Sequence, residues 1–133
     1  MQAGIPITSS QYYVNITKEE VDKIFISSTG ESIPLLDDRW RILQECGKIL
    51  NATFDGKFYN CVKQSENSAK KLLDLIVLNF PSFRDEGIIE GEMVSFYKRA
   101  QILVADIWSI FKGQVFRYKF SFNYQFYIQC IIF

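Results

Sequence analysis

The sequence predicts a mainly α-helical fold, a helical bundle preceded by an extended N-terminal piece, and three observations carry that prediction. Apolar residues recur at spacings of three and four along separate stretches between Leu36 and Phe111. Start and stop residues bracket these stretches, among them Thr17 with Glu20, Pro34, Pro81 and Gly113. Hydrophobic residues make up 48% of the 133 and charged ones 23%, which suits one buried core and not a disordered chain.

Residues 4–16, "GIPITSSQYYVNI", read as extended, since Pro6 blocks a helix start and β-branched and aromatic residues follow. Thr17 and Glu20 then form a capping box for a short helix whose apolar face is Val21, Ile24 and Phe25. "SSTGES" (27–32) is a loop by composition. Pro34 opens a longer helix, where Leu36, Trp40, Leu43, Gly47 and Leu50 make one stripe and Ile42, Cys46 and Ile49 a second. A glycine inside a helix costs about 1 kcal/mol relative to alanine, so Gly47 predicts the close approach of another helix.

"FDGKF" (54–58) is a turn, and Phe58 to Val62 a short apolar piece. "QSENSAKKLLDLIVLNFP" carries the clearest helix: Ser65 or Asn67 caps it, Ala69, Leu72, Leu73, Ile76, Val77 and Phe80 repeat along it, and Pro81 ends it. "SFRDEGIIEGEM" is a turn-rich connection. The last helix runs from Ser95 to Phe111, with Gly113 as its C-terminal cap.

Composition removes several chemistries. Fifteen basic residues balance fifteen acidic ones, so no net field draws in nucleic acid or an acidic membrane. The absence of histidine excludes Ser–His and Cys–His nucleophiles and the usual histidine-containing zinc sites. Cys46, Cys61 and Cys130 are widely spaced with no CxxC pair, which points to a reducing compartment, and "MQAGIPITSS" lacks the pattern of a signal peptide; a cytoplasmic location is expected. No Gly-rich phosphate loop, EF-hand or nucleophile elbow occurs.

The helix over 96–111 is apolar nearly all round, so burial is expected, yet it carries Lys98, Arg99 and Asp106. Arg99 and Asp106 project about 20° apart, two turns along. One reading is an anion site, with lysine as a point charge on a phosphate and arginine as a fork. The other is an Arg99–Asp106 ion pair with Lys98 snorkelling to solvent, and residue types alone favour it. The adjacent carboxylates Asp37 with Asp38 and Asp85 with Glu86 do not face each other as an acid/base pair would. A solvated face or a helix N-terminal dipole interaction is the better reading. Glu66 and Asn67 read as caps, and Tyr12, Tyr13 and Tyr97 as core packing in preference to stacking on a base.

Taken together, "GIPITSSQYY", "RWRILQECGKIL", "NCVKQSENSAKKL", "NFPSFRD" and "EGEMVSFYKRAQILVADIWSIFKG" resemble the queuosine salvage protein family, in family order from Gly4 to about Gly113. The segment "FYKRAQILVADIW" is especially characteristic. The resemblance implies a helical fold similar to DNA glycosylases, of which residues 1–114 form an incomplete central portion of one domain and 115–133 a divergent tail. It implies hydrolysis of the N-glycosidic bond of queuosine 5′-phosphate, releasing queuine for return to transfer RNA, with no cofactor or metal. A carboxylate would stabilise or trap the oxocarbenium-like ribosyl centre. The expected partner is that small-molecule nucleotide, without direct nucleic acid or membrane binding.

Residue by residue, the resemblance places Lys98 on the substrate's 5′-phosphate and makes Arg99 and Asp106 a supporting ion pair. The family's catalytic aspartate lies beyond the "IFKG" helix, and no acid follows Asp106 here, so no catalytic residue is assigned and the chain is expected to be inactive alone. For "VFRYKFSFNYQFYIQCIIF" (115–133), a membrane anchor is a poor reading because Arg117, Lys119, Asn123, Gln125 and Gln129 interrupt it. Its alternation suits a strand, and a departure from the family frame at Gln114 is the favoured reading. A small helical module binding a nucleotide or a protein, and a tail-anchored membrane protein, are the alternatives to the family reading.

Overall fold

A computed structural model describes residues 6–111, and these divide into two compact units, 6–57 and 58–111. The chain is mainly helical, as expected, with one two-stranded sheet among the described residues.

The first unit holds helices α1 (Ser10–Asn15), α2 (Lys18–Ile24) and α3 (Leu36–Thr53). The extended piece expected over 4–16 is corrected: after a turn in which the Ser9 N–H donates to the Pro6 carbonyl at 2.9 Å, the chain enters α1. No side chain caps this six-residue helix. It exists because it packs on α3, a tertiary effect that overrides the weak local preference of Tyr and Val. Gly47 is where they meet. A Cβ there would lie 2.8 Å from the Tyr13 Cβ and 2.9 Å from both the Ser10 carbonyl oxygen and the Val14 nitrogen. The close approach predicted from Gly47 is therefore real, and its partner is the segment expected to be extended.

The Thr17–Glu20 capping box is present in both directions, at 3.2 and 2.8 Å. Its N–H bond, above all, holds the Glu20 carboxyl below the usual glutamate range. Pro34 lies before the first helical position: Leu35, in left-handed conformation, is the N-cap, and Asp37 and Asp38 occupy the first turn, where a carboxylate suits the helix dipole. The predicted stripe holds, with Leu43, Gly47 and Leu50 buried and Leu36 and Trp40 partly so. Tyr13, Ile16, Val21 and Leu43 form the core cluster. The Ile16 carbonyl accepts from Trp40 Nε1 at 2.7 Å and Gln44 Nε2 at 3.2 Å, and the Tyr13 hydroxyl donates to the Ile7 carbonyl. Asp55 and Gly56 make the predicted turn, both at positive φ.

The second unit comprises α4 (Phe58–Gln64), α5 (Ala69–Asn79), a 3-10 turn (Pro81–Phe83), β1 (Glu86–Ile89), β2 (Glu92–Ser95) and α6 (Lys98–Phe111). The cap of α5 is Ser68, which accepts from the Lys71 N–H at 3.2 Å. Ser65 instead turns back to the Val62 carbonyl, and Glu66 and Asn67 form a turn at positive φ. Pro81 ends α5 as predicted.

The stretch expected as a turn-rich connection is a β-hairpin. Glu90 and Gly91, at φ 53° and 86°, make its two-residue turn, the mirror-image type that matches strand twist. The hairpin also shortens the last helix: Ser95 pairs with Glu86, so α6 starts at Lys98 and not at Ser95. Ala100, Leu103 and Ile107 of α6 are buried, but Ile102 and Trp108 are 44% and 51% exposed, so α6 has one apolar buried face where burial nearly all round was expected. Phe80 sits at the centre of this unit's aromatic contacts, edge-on to Phe58 at 6.3 Å and to Phe83 at 6.2 Å. Gly113 and the 115–133 tail lie outside the described residues. No described helix is long and apolar enough to cross a membrane.

Candidate functional site

The site is built where the hairpin feeds into α6. Arg84 and Asp85 precede β1, and each attends to a different helix end. The Arg84 guanidinium donates from Nε to the Val77 carbonyl at 2.7 Å and from Nη2 to the Leu78 carbonyl at 2.6 Å, in the last turn of α5. Asp85 accepts the Arg99 N–H on Oδ2 at 2.7 Å and Arg99 Nε on Oδ1 at 2.6 Å, in the first turn of α6. A cation thus meets a helix C-terminus and an anion a helix N-terminus, each the favourable sense for the macrodipole. The Phe96 N–H also donates to the Asp85 carbonyl, at 2.8 Å. The dipole reading of Asp85 therefore holds, and its neighbour Glu86 is an exposed strand residue.

Between these anchored points lie Tyr97, at φ 49°, and Lys98, the first residue of α6. Lys98 is exposed and makes no ion pair with any described residue. The Arg99–Asp106 ion pair expected from the sequence is corrected: Arg99 pairs with Asp85. Seven residues of helix rise about 10.5 Å, a long reach for one salt bridge, whereas Asp85 lies beside the Arg99 backbone itself. Asp106, partly buried two turns along, has no ion-pair partner among the described residues. Of the three candidates, the structure therefore keeps Lys98 and Arg99 together and separates Asp106 from them.

The remaining candidates are structural. Tyr13 is buried, and desolvation pushes its hydroxyl pKa well above the ordinary tyrosine value. Tyr12 packs at the edge of the first core and donates to Glu20 at 3.2 Å, with burial the main reason its pKa is raised. Glu66 pairs with Lys71, a hydrogen bond that holds its carboxyl below the usual range. Among the described residues no group of histidine, cysteine and carboxylate side chains gathers as for a metal ion. A small apolar cleft of about 20 Å³, walled by Val62, Leu72, Val104, Ile107 and Trp108, has room for little more than one water and lies towards the far end of α6 from Lys98.

Sequence reasoning gave Asp85 a helix-dipole role but missed its partner: Arg99 is fourteen positions away, beyond any local capping rule.

Comparison with known proteins bears on most of the chain. The model of the queuosine salvage protein family matches residues 1–123. A Mus musculus queuosine 5′-phosphate N-glycosylase/hydrolase is 54% identical over 114 residues, which are 86% of this chain and 34% of the relative. The Bos taurus protein of the same name is also 54% identical, over 86% of this chain and 33% of its own length. A Schizosaccharomyces pombe relative, again of that name, is 38% identical over 86% of this chain and 34% of its own. The chain thus spans about a third of the length of the curated relatives it matches. The matching blocks run through α3, α5 and the hairpin to α6, and the chain belongs to the queuosine salvage protein family.

Proposed function

We propose that this chain supplies the phosphate-holding part of a site for queuosine 5′-phosphate, within the cytoplasmic salvage of queuine by N-glycosidic hydrolysis. The observation that carries the reading is the inequality of two adjacent cations. Arg99 is neutralised by Asp85, while Lys98 projects from the first turn of α6 with no ion-pair partner among the described residues. An ammonium group so placed suits a phosphate as a point charge. In this reading the nucleotide's phosphate meets Lys98, Arg99 keeps the helix start in place, and no cofactor takes part.

The family resemblance sets the carboxylate for the ribosyl centre beyond the "IFKG" helix, where this sequence carries no acid. In this reading these 133 residues alone bind the nucleotide and leave its glycosidic bond intact. Two measurements test this. Incubation with queuosine 5′-phosphate is expected to give no free queuine; release of the base would overturn the inactivity. Calorimetric titration is expected to show phosphate-dependent binding that falls about tenfold in Lys98→Ala, the scale of one charge-assisted hydrogen bond, with the circular dichroism unchanged. Equal affinity in the variant would remove Lys98 from the site.

A further inference from the structure

We infer that Asp85 is a positioning residue for Lys98, acting through three hydrogen bonds that bracket the Tyr97–Lys98 dipeptide; this rests on the reading of Lys98 as the phosphate-holding group. On the near side, the Asp85 carbonyl accepts the Phe96 N–H at 2.8 Å and fixes where the hairpin ends. On the far side, its carboxylate accepts the Arg99 N–H at 2.7 Å and Arg99 Nε at 2.6 Å, fixing where α6 begins. Two residues remain between these clamps, and Lys98 is one of them.

The backbone of the other shows how firmly they are held. Tyr97 has φ 49°, a left-handed conformation that a bulky aromatic residue adopts only when its surroundings over-determine it. With both flanks tied to one aspartate, the chain must turn from strand to helix within Tyr97 and Lys98. The direction in which the Lys98 side chain leaves the backbone follows from that turn. Arg84, next in sequence, is itself tied to the Val77 and Leu78 carbonyls, so the clamp is seated on the end of α5 and does not ride on the hairpin alone.

Asp85 also decides which cation an anion meets. Its carboxylate occupies the N-terminal seat of α6 and neutralises Arg99, two sources of positive potential that would otherwise attract any anion without orienting it. What remains is one lysine at one defined position. Removing Asp85 then has two opposed effects, a stronger unspecific pull from Arg99 and the helix end, and a loss of fixed geometry at Lys98. Total affinity mixes the two, but the dependence of affinity on Lys98 separates them.

The test is a double-mutant cycle on the full 133-residue chain, with ribose 5-phosphate as probe and ribose as its phosphate-free control. In the unsubstituted chain, Lys98→Ala is expected to weaken binding about tenfold. In the Asp85→Ala background the same change is expected to cost less than about twofold, because binding there no longer runs through a positioned lysine. Asp85→Asn keeps one acceptor for the Arg99 N–H and gives up the charge, so its Lys98 penalty is expected to fall between these values. A residue with a merely structural role would lower the melting temperature and leave the Lys98 penalty unchanged.

A penalty in the Asn variant equal to that of the unsubstituted chain overturns the inference, even where the Ala variant does not fold. Absence of Lys98-dependent binding in the unsubstituted chain overturns the reading of Lys98 and the inference together. A full penalty in Asp85→Ala overturns the inference alone.

Discussion

The two units are both built mainly of helices but are locked by different forces. In the first, the bonds that tie α1 and its flanks to the rest are uncharged and partly buried: Trp40 and Gln44 on the Ile16 carbonyl, Tyr13 on the Ile7 carbonyl, Ser10 on Asn51 at 2.6 Å, and a glycine that admits a neighbouring backbone. In the second, the locks at the helix ends are charged: Arg84 on the end of α5, Asp85 and Arg99 on the start of α6. Interior hydrogen bonds gain from low dielectric and resist salt, whereas exposed charges respond to salt, pH and ligands.

That comparison breaks first at Phe80. Its ring contacts Phe58 and Phe83 and is buried, so Phe80→Ala is expected to destabilise by about 3–5 kcal/mol, seen as a lowered urea midpoint. Gly47→Ala tests the first unit: the new Cβ must displace the backbone of α1, and a net loss of about 2 kcal/mol is expected although alanine is the better helix former. A gain in stability would show that α1 does not depend on that approach.

Cys61 sharpens the contrast by its response to alkali. Burial pushes its thiol from 9.0 up to about 12, so the folded state holds it neutral. That contribution is complete below pH 9 and is lost as pH rises from there towards 12, at up to on the order of 1 kcal/mol per pH unit. Cys61→Ala should therefore flatten the alkaline limb of a stability–pH curve; an unchanged limb would place the alkaline loss elsewhere.

The smallest expected effect is at the entrance of α2. Thr17→Ala removes the acceptor for the Glu20 N–H and should cost about 1 kcal/mol. Glu20 contributes with the opposite pH sense to Cys61: its lowered carboxyl stabilises above the usual glutamate range and loses that effect as pH falls through and below it. Glu20→Gln is expected to make the acid limb shallower.

What the sequence made legible was local. The Thr17–Glu20 box, the α3 stripe, the Asp55–Gly56 turn and the stop at Pro81 all depend on residues within a few positions of each other. Helix α1 was not legible, because nothing in its own residues caps it and packing on Gly47 forms it. The hairpin was missed because its strands are four residues each and its turn is Glu–Gly, weaker as a signal than Asn–Gly or Asp–Gly. At the site, residue types favoured an Arg99–Asp106 pair, the family resemblance singled out Lys98, and only the fold brought Asp85 to Arg99.

The two buried thiols turn the division of the chain into something that can be timed. Cys46 lies on α3 of the first unit and Cys61 on α4 of the second, one reporter in each. A buried, protonated thiol reacts with a disulfide reagent only when its surroundings open. With Cys130 replaced by serine, the two labelling rates become separate clocks. Equal rates at every denaturant concentration would mean that the units open in one cooperative event, and unequal rates would give each its own lifetime.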